Sequence, residues 1–131
     1  MPRTSDCNAV TRQGRLMKAH QFMTAAEIVL NLTEDDPADL GAVYVTLVVH
    51  CGIAAADVIC CARLGQYSRG ENHNEAIDLL GSVDKRLAAD LGLLLGMKTK
   101  AGYSALPISQ EARTKAGRAV ERLMDAAKQT R

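Results

Sequence analysis

A long apolar run in the middle of the chain, residues 41–64 (GAVYVTLVVHCGIAAADVICCARL), is the feature that most constrains the fold. Its first half could be a buried strand, because a short apolar run does not distinguish a strand from a buried helix. The whole run exceeds 20 residues and its second half is rich in Ala, so it is too long for one ordinary strand. We therefore predict a central helix that begins near Pro37 and ends at Gly65.

A membrane span is the other structure that such a run can form. His50 and Asp57 lie inside the run, where ionisable groups are costly in a bilayer, and the preceding flank TEDDPAD is acidic and contains no Lys or Arg. Gly52 and residues 54–56 would instead allow neighbouring helices to approach closely. We therefore predict a helix that is packed on most sides within a protein core, with no membrane contact.

The segments on either side of the run also show helical patterns. Before it, apolar residues recur every three or four positions up to a stop at Asn31. After it, Asn72 and Glu75 form a capping-box-like pair that places His73 at the first position of a helix, and residues 81–82 mark a break. The predicted inner face of the first helix consists of Leu16, Ala19, Phe22, Met23, Ala26, Val29 and Leu30.

Two more helices are predicted in the last third of the chain. The first of them ends near Gly96, and the segment KTKAGYSALPIS (residues 98–109) then forms a polar connection. Ser109 can cap the last helix, because its hydroxyl can accept a free N–H of the first turn. The predicted inner faces of the two helices consist of Leu87, Leu91, Leu94 and Leu95, and of Ala112, Ala116, Ala119, Val120, Leu123 and Ala127.

The composition agrees with an all-helical domain. The chain has 131 residues, of which 47% are hydrophobic, with one Phe, three Tyr and no Trp. Few aromatic side chains disfavour both an all-β fold and the binding of single-stranded nucleic acid on rows of stacked rings. The sequence therefore predicts an all-α fold, an antiparallel up-and-down bundle of four to five helices in a single domain (1–131), with residues 1–7 flexible.

The four cysteines, Cys7, Cys51, Cys60 and Cys61, bear on location and on metal binding. No apolar secretory signal precedes them, and the adjacent pair cannot readily bond to each other. We predict reduced, buried thiols in a cytoplasmic protein. The ligand spacing of structural zinc sites is absent, so neither a metal nor another cofactor is predicted.

The net charge is only +1, but the charges are unevenly spread. Residues 21–60 contain six acidic residues and no Lys or Arg, whereas eight basic residues accompany three acidic ones from residue 98 onward. A solvated basic face on the last helix is one interpretation, and contact with phosphates or an acidic partner is the other.

Five segments between residues 45 and 127 carry a family resemblance: VTLVVHCGIAAADVICCARLG, SRGENHNEAIDLL, LAADLGLLLGMK, KTKAGY and SQEARTKAGRAVERLMDAA. In this order they resemble the HEPN superfamily of small helical bundles, and within it the small actinobacterial-type HEPN-like proteins. The superfamily includes ribonuclease toxins that pair with nucleotidyltransferase antitoxins, and also non-catalytic members. The resemblance implies a HEPN-like bundle that works as a homodimer, with a nucleotidyltransferase-type protein as a candidate partner.

The ribonuclease members of that superfamily carry an Arg, four to six residues and then a His. In this motif His transfers protons at the scissile phosphodiester and Arg stabilises the charge on the phosphate, without a metal. Here Arg69 and His73 have only three residues between them, across a loop and a helix start. Arg15 and His20 have four between them, but they lie on the first helix, where the family does not place the motif.

Two functions follow from these observations. The favoured one is a non-catalytic, homodimeric module that either mediates an interaction or binds a nucleotide or RNA. The alternative is a metal-independent endoribonuclease that uses Arg69 and His73 for catalysis. The candidate ligand- or phosphate-binding residues are Arg69, His73, Lys98, Lys100 and Tyr103.

Simpler roles remain open for the same residues. His73 can be a helix-start residue that contacts the preceding loop, and Lys98, Lys100 and Tyr103 can be surface residues of a connection. His50 and Asp57 lie two helical turns apart on one face, and we predict a buried polar contact or a dimer seam for them.

Overall fold

The structure is a computed structural model that describes residues 3–32, 40–69 and 72–130. Within these residues the chain forms five helices and one small antiparallel sheet, which confirms the predicted all-α bundle. The elements in chain order are β1 (Thr4–Asp6), α1 (Ala9–Leu32), α2 (Gly41–Leu64), β2 (Gln66–Ser68), α3 (His73–Gly81), α4 (Lys85–Tyr103) and α5 (Gln110–Lys128).

The apolar run forms α2, and this helix is the centre of the bundle. It packs against α1, α4 and α5, and most of its side chains are buried. Among the described helices α2 alone is long and apolar enough to cross a membrane, but 67% of its most apolar 18-residue window is buried against the rest of the protein. Its hydrophobicity is therefore accounted for by packing against neighbouring helices.

Helix α1 lies against α2, and three side-chain links join α2 to α1 or to the segment just before it. A disulfide joins Cys7, just before α1, to Cys61 near the end of α2. Further along, Arg15 Nε donates to Asp57 Oδ2 at 2.9 Å, and the ring of Phe22 stacks on the ring of His50 with centroids 5.4 Å apart. The positions of these links along the chain show that the two helices run antiparallel.

Local signals set three predicted helix ends. Gly65 ends α2 in the left-handed conformation, with φ at 69°, which favours a residue without Cβ. Asn72 caps α3 because its side chain accepts the N–H of Asn74, and Ser109 caps α5 by accepting the N–H of Ala112. These three predictions are confirmed. The predicted start of α2 near Pro37 lies outside the described residues.

The prediction that the fourth helix ends near Gly96 is wrong. Helix α4 continues through Gly96 to Tyr103, so Lys98 and Lys100 belong to the helix and not to a connection. A glycine inside a helix costs only about 1 kcal/mol relative to Ala. Beyond Gly96, Met97 packs against the core and Ala101 is buried in it, and these contacts favour continuation of the helix.

The start of the chain carries a strand and one half of a disulfide. Where the sequence predicts a flexible segment over residues 1–7, Thr4–Asp6 form β1 and pair with β2. The prediction that all the cysteines are reduced is wrong for Cys7 and Cys61, which form a disulfide, whereas Cys51 and Cys60 are free and buried as expected. The pairing of the two strands brings Cys7 beside the end of α2, since the Cys7 N–H donates to the Gly65 carbonyl at 2.9 Å.

Candidate functional site

A cavity of about 470 Å³ lies where α2, β2, α3 and α4 meet. Its volume falls within the range of about 300–1,000 Å³ that is typical of small-molecule sites. One wall is apolar, and the remainder carries groups that can form hydrogen bonds or ion pairs. The lining residues are Ile53, Ala56, Asp57 and Cys60 from α2, Ser68 from β2, Asn72, His73 and Ala76 from the start of α3, and Leu91, Leu95 and Lys98 from α4.

Asp57 is the acidic residue of this lining, and its charge is balanced from outside the cavity. Its carboxylate accepts the guanidinium N–H of Arg15 at 2.9 Å, and its side chain is only 14% exposed. Burial raises the pKa of Asp57 to about 6, while the charge and the hydrogen bond of Arg15 act to lower it. The ion pair therefore offsets part of the cost of a carboxylate at this position.

The start of α3 brings polar groups to another side of the cavity. Asn72 caps the helix, so His73 stands at its first position and is half-buried in the cavity wall. The Ser68 hydroxyl is buried and has no hydrogen-bond partner within the described part of the chain. A buried hydroxyl without a partner is costly, and a ligand in the cavity could satisfy it.

Lys98 lines two cavities at once. Besides the larger one it borders a cavity of about 170 Å³ that is lined by Thr46, Val49, His50, Gly102 and Tyr103. Lys98 is half-buried and forms no ion pair among the described residues. The pKa of nearby His50 is lowered by burial first, and then by the positive charges of Lys98 and Arg15. Lys98 thus places an uncompensated positive charge between the two cavities.

Cys60 is the thiol of the larger cavity, but its environment does not favour a nucleophile. Burial raises its pKa to about 12, and the Asp57 charge acts in the same direction. The reactive form of a cysteine is the thiolate, which such surroundings suppress. Cys60 therefore contributes to the cavity as a small apolar side chain.

The structure brings two of the five candidate site residues together. His73 and Lys98 line the same cavity, whereas Arg69, Lys100 and Tyr103 do not line it. Arg69 is exposed, and its backbone N–H donates to the Arg3 carbonyl at 3.1 Å. Lys100 and Tyr103 are exposed on the last turns of α4, where Tyr103 borders the smaller cavity.

His50 and Asp57 do make polar or ring contacts, but each contact is to α1. Arg15, which the sequence analysis singled out only for its spacing from His20, is the partner of Asp57. Its companion His20 is exposed. Among the described residues no group of three or more His, Cys, Asp and Glu side chains is placed to hold a metal ion.

Comparison with known proteins finds no match. No family model, no curated protein and no solved structure is significantly similar to the chain. The resemblance to the HEPN superfamily, and the toxin and nucleotidyltransferase associations that it implies, therefore stay predictions from the sequence.

Sequence reasoning missed the contributions of Arg15 and Ser68 to the candidate site. For Arg15 a signal was present in the sequence. Arg15 and Asp57 are equally far along the chain from residue 36, the midpoint of the TEDDPAD segment, and the same holds for Phe22 and His50. In an antiparallel helix pair joined there, these residues face each other. No comparable signal pointed to Ser68, because its place depends on how β2 lies between α2 and α3.

Proposed function

We propose that the protein is a non-catalytic binding module that holds a small anionic ligand of the nucleotide class in the cavity between α2, α3 and α4. The observation that carries the proposal is Lys98, a half-buried cation without an ion-pair partner among the described residues, in the wall of a cavity of ligand size. Charged groups that are removed from water are normally paired. An anionic ligand would supply the missing partner.

The other polar groups of the cavity support the same class of ligand. His73 can donate a hydrogen bond to a phosphate oxygen, and the positive end of α3 favours negative charge beside it. The Ser68 hydroxyl can donate a further hydrogen bond to the ligand or accept one from it. Asp57 would repel an anion if it stood alone, but Arg15 neutralises its charge.

The apolar wall supports a ligand that is larger than a bare phosphate. Ile53, Ala76, Leu91 and Leu95 line the cavity and could pack against a base or a sugar ring. The ligand would thus place its charged group near Lys98 and His73 and its apolar part against α2 and α4. This arrangement needs no row of aromatic side chains, which the sequence does not contain.

The first test compares two lysines of the same helix. The Lys98→Ala variant should bind AMP and inorganic pyrophosphate at least about tenfold more weakly than the unmodified protein, as expected for loss of a hydrogen bond to a charged group. Lys100→Ala is the matched control, because Lys100 is exposed and does not line the cavity. Isothermal titration calorimetry gives both dissociation constants. Absence of binding to the unmodified protein at millimolar ligand, or equal losses in the two variants, would contradict the proposal.

The endoribonuclease that the family resemblance implies is the alternative function. Arg69 does not line the cavity that contains His73, so no shared site for the two residues supports it. Incubation of the purified protein with total RNA in EDTA decides between the two functions, with His73→Ala as the second sample. Cleavage that survives chelation and is lost in the variant would replace the binding module with a metal-independent ribonuclease.

We also propose that the protein is a homodimer that uses the outer face of α1, defined by Val10, Met17, Ile28 and Leu32. These four apolar side chains are exposed, and α1 packs almost entirely against α2. Contiguous exposed apolar surface of this kind is typical of contacts between proteins, and a second copy of the chain is the occupant that we propose.

A further inference from the structure

The N-terminal arm, residues 3–8, is held to the bundle by few contacts. Strand β1 pairs with β2, and the flanking backbone bonds join the Cys7 N–H to Gly65 O at 2.9 Å and the Arg69 N–H to Arg3 O at 3.1 Å. An ion pair between Arg3 Nε and Glu75 Oε2 spans 3.6 Å, and the Arg3 side chain is 64% exposed. The Glu75 side chain is 21% exposed, and an ion pair of this length with one mobile, exposed partner contributes little. Apart from the backbone that continues into α1, the Cys7–Cys61 disulfide is the one covalent attachment of the arm to the bundle within the described residues.

The arm touches the elements that form the candidate cavity. Its partner strand β2 supplies Ser68 to the cavity, and Glu75 lies on α3, two residues after His73. Cys61 directly follows Cys60, which also lines the cavity. The position of the arm is therefore linked to the position of at least two cavity walls.

The arm also leads directly into α1. Asn8 caps this helix, since its side chain accepts the Thr11 N–H at 2.9 Å, and Arg15 follows within the first two turns. Arg15 neutralises Asp57 in the cavity lining. The disulfide thus anchors the end of α1 that carries Arg15, the counter-charge of Asp57 in the cavity wall.

We propose that the Cys7–Cys61 disulfide is a redox latch, which holds the arm and the first turns of α1 in place when oxidised and releases them when a dithiol reduces it. In that step the Sγ–Sγ bond breaks and the two cysteines take up two electrons and two protons, while the dithiol is oxidised to a disulfide. Cys7 is half-buried and Cys61 is buried, so the Cys7 end of the bond is the one that a small reductant would approach. The released arm keeps the short strand pairing, the two flanking backbone hydrogen bonds and the ion pair of Arg3 with Glu75.

Release has a direct consequence for the cavity, and this part of the inference rests on the proposed function. When the first turns of α1 loosen, Arg15 no longer holds its place on Asp57, and the carboxylate faces the cavity without its counter-charge. When β1 is held to β2 by backbone hydrogen bonds without the disulfide, the position of Ser68 is less constrained. Reduction should therefore weaken the binding of anions.

The experiment has one readout for the latch and another for the ligand. Amide hydrogen exchange, followed by mass spectrometry, compares peptides that cover residues 3–12 and 65–69 in the oxidised protein, in the protein reduced with dithiothreitol and in a Cys7→Ser variant. Calorimetry with AMP is run on the same three samples. Cys7→Ser is preferred to a change at Cys61 because Cys7 lies outside the core, and circular dichroism checks that the helices persist.

If the latch exists, exchange in residues 3–12 accelerates at least about tenfold on reduction and in Cys7→Ser, and dithiothreitol has no further effect on the variant. AMP affinity then falls by about fivefold in the same two samples, a coupling of ordinary size. Unchanged exchange on reduction overturns the latch, even if AMP binds. Accelerated exchange with unchanged AMP affinity overturns the link to the cavity, and an oxidised protein that binds no AMP overturns the proposed function while leaving the latch supported.

Discussion

At the scale of single residues, Asp57 is a largely buried carboxylate whose surroundings differ sharply from those of a free side chain. It lies in the apolar helix α2, lines the candidate cavity and depends on Arg15 for its counter-charge. Because burial dominates, its pKa rises from 3.8 to about 6 in the native state. In an unfolded chain the group would titrate near its ordinary value.

This difference predicts a pH dependence of stability. Between about pH 4 and pH 6 the native state binds more protons at Asp57 than the unfolded chain does, so the free energy of unfolding falls as the pH rises. The contribution of Asp57 to this loss is at most about 3 kcal/mol, and it is complete above about pH 6. Urea unfolding from pH 4 to pH 7 measures it.

The Asp57→Asn variant should show a smaller decline over the same pH range, because it lacks the titrating carboxyl group. Asp78→Asn removes an exposed carboxylate from α3 and serves as the control. If the free energy of unfolding declined equally steeply with pH in the unmodified protein and in Asp57→Asn, Asp57 would not titrate as its burial indicates.

At the scale of the helices, two glycines have opposite roles. A Cβ on Gly52 of α2 would lie 2.5 Å from Leu94 Cδ1 and 3.5 Å from Leu123 Cδ1, so Gly52 permits the close approach of α2 to α4 and α5. Around Gly96 of α4 nothing lies within 4 Å of the added carbon. The first glycine is required by packing, whereas the second is only tolerated.

The two Gly→Ala variants should therefore change stability in opposite directions. Gly52→Ala should lower the free energy of unfolding by about 1–3 kcal/mol, because fully buried Leu94 has to move. Gly96→Ala should raise it by about 0.5–1 kcal/mol, because Ala restricts the unfolded chain and favours the helix. Denaturant unfolding measures both changes. A destabilised Gly96→Ala would argue against a continuous α4 at this position.

At the scale of the whole molecule, the outer face of α1 predicts self-association. Met17→Asp introduces a charge at the centre of this face, and the variant should dissociate at a concentration at least about tenfold higher than the unmodified protein. Met17 is 62% exposed, so the fold of the single chain should persist. Size-exclusion chromatography with light scattering measures the molecular mass across concentrations.

Leu106→Asp is the matched control for this measurement, because Leu106 is 68% exposed in the connection between α4 and α5. It should leave the association unchanged. A monomeric unmodified protein at all concentrations, or the same loss in both variants, would rule out the outer face of α1 as the dimer interface.

The sequence predicted those features that depend on neighbouring residues. Gly65, Asn72 and Ser109 mark helix ends because each acts on backbone groups within a few positions. The end of α4 was missed because the local tendency of Gly96 to end a helix is weak, and packing of Met97 and Ala101 outweighs it. Of the candidate site, the sequence identified His73 and Lys98 as possible ligand contacts but could not show that they share a cavity.

By itself the sequence determined the all-helical class and the central place of residues 41–64, because composition and periodicity are properties of the chain alone. Tertiary structure decided the disulfide between Cys7 and Cys61, the pairing of Arg15 with Asp57 and the cavity at Lys98. Each of these joins elements that are distant in sequence, and the two bonded cysteines are 54 positions apart. Such contacts depend on how the helices and strands pack, which local propensity does not encode.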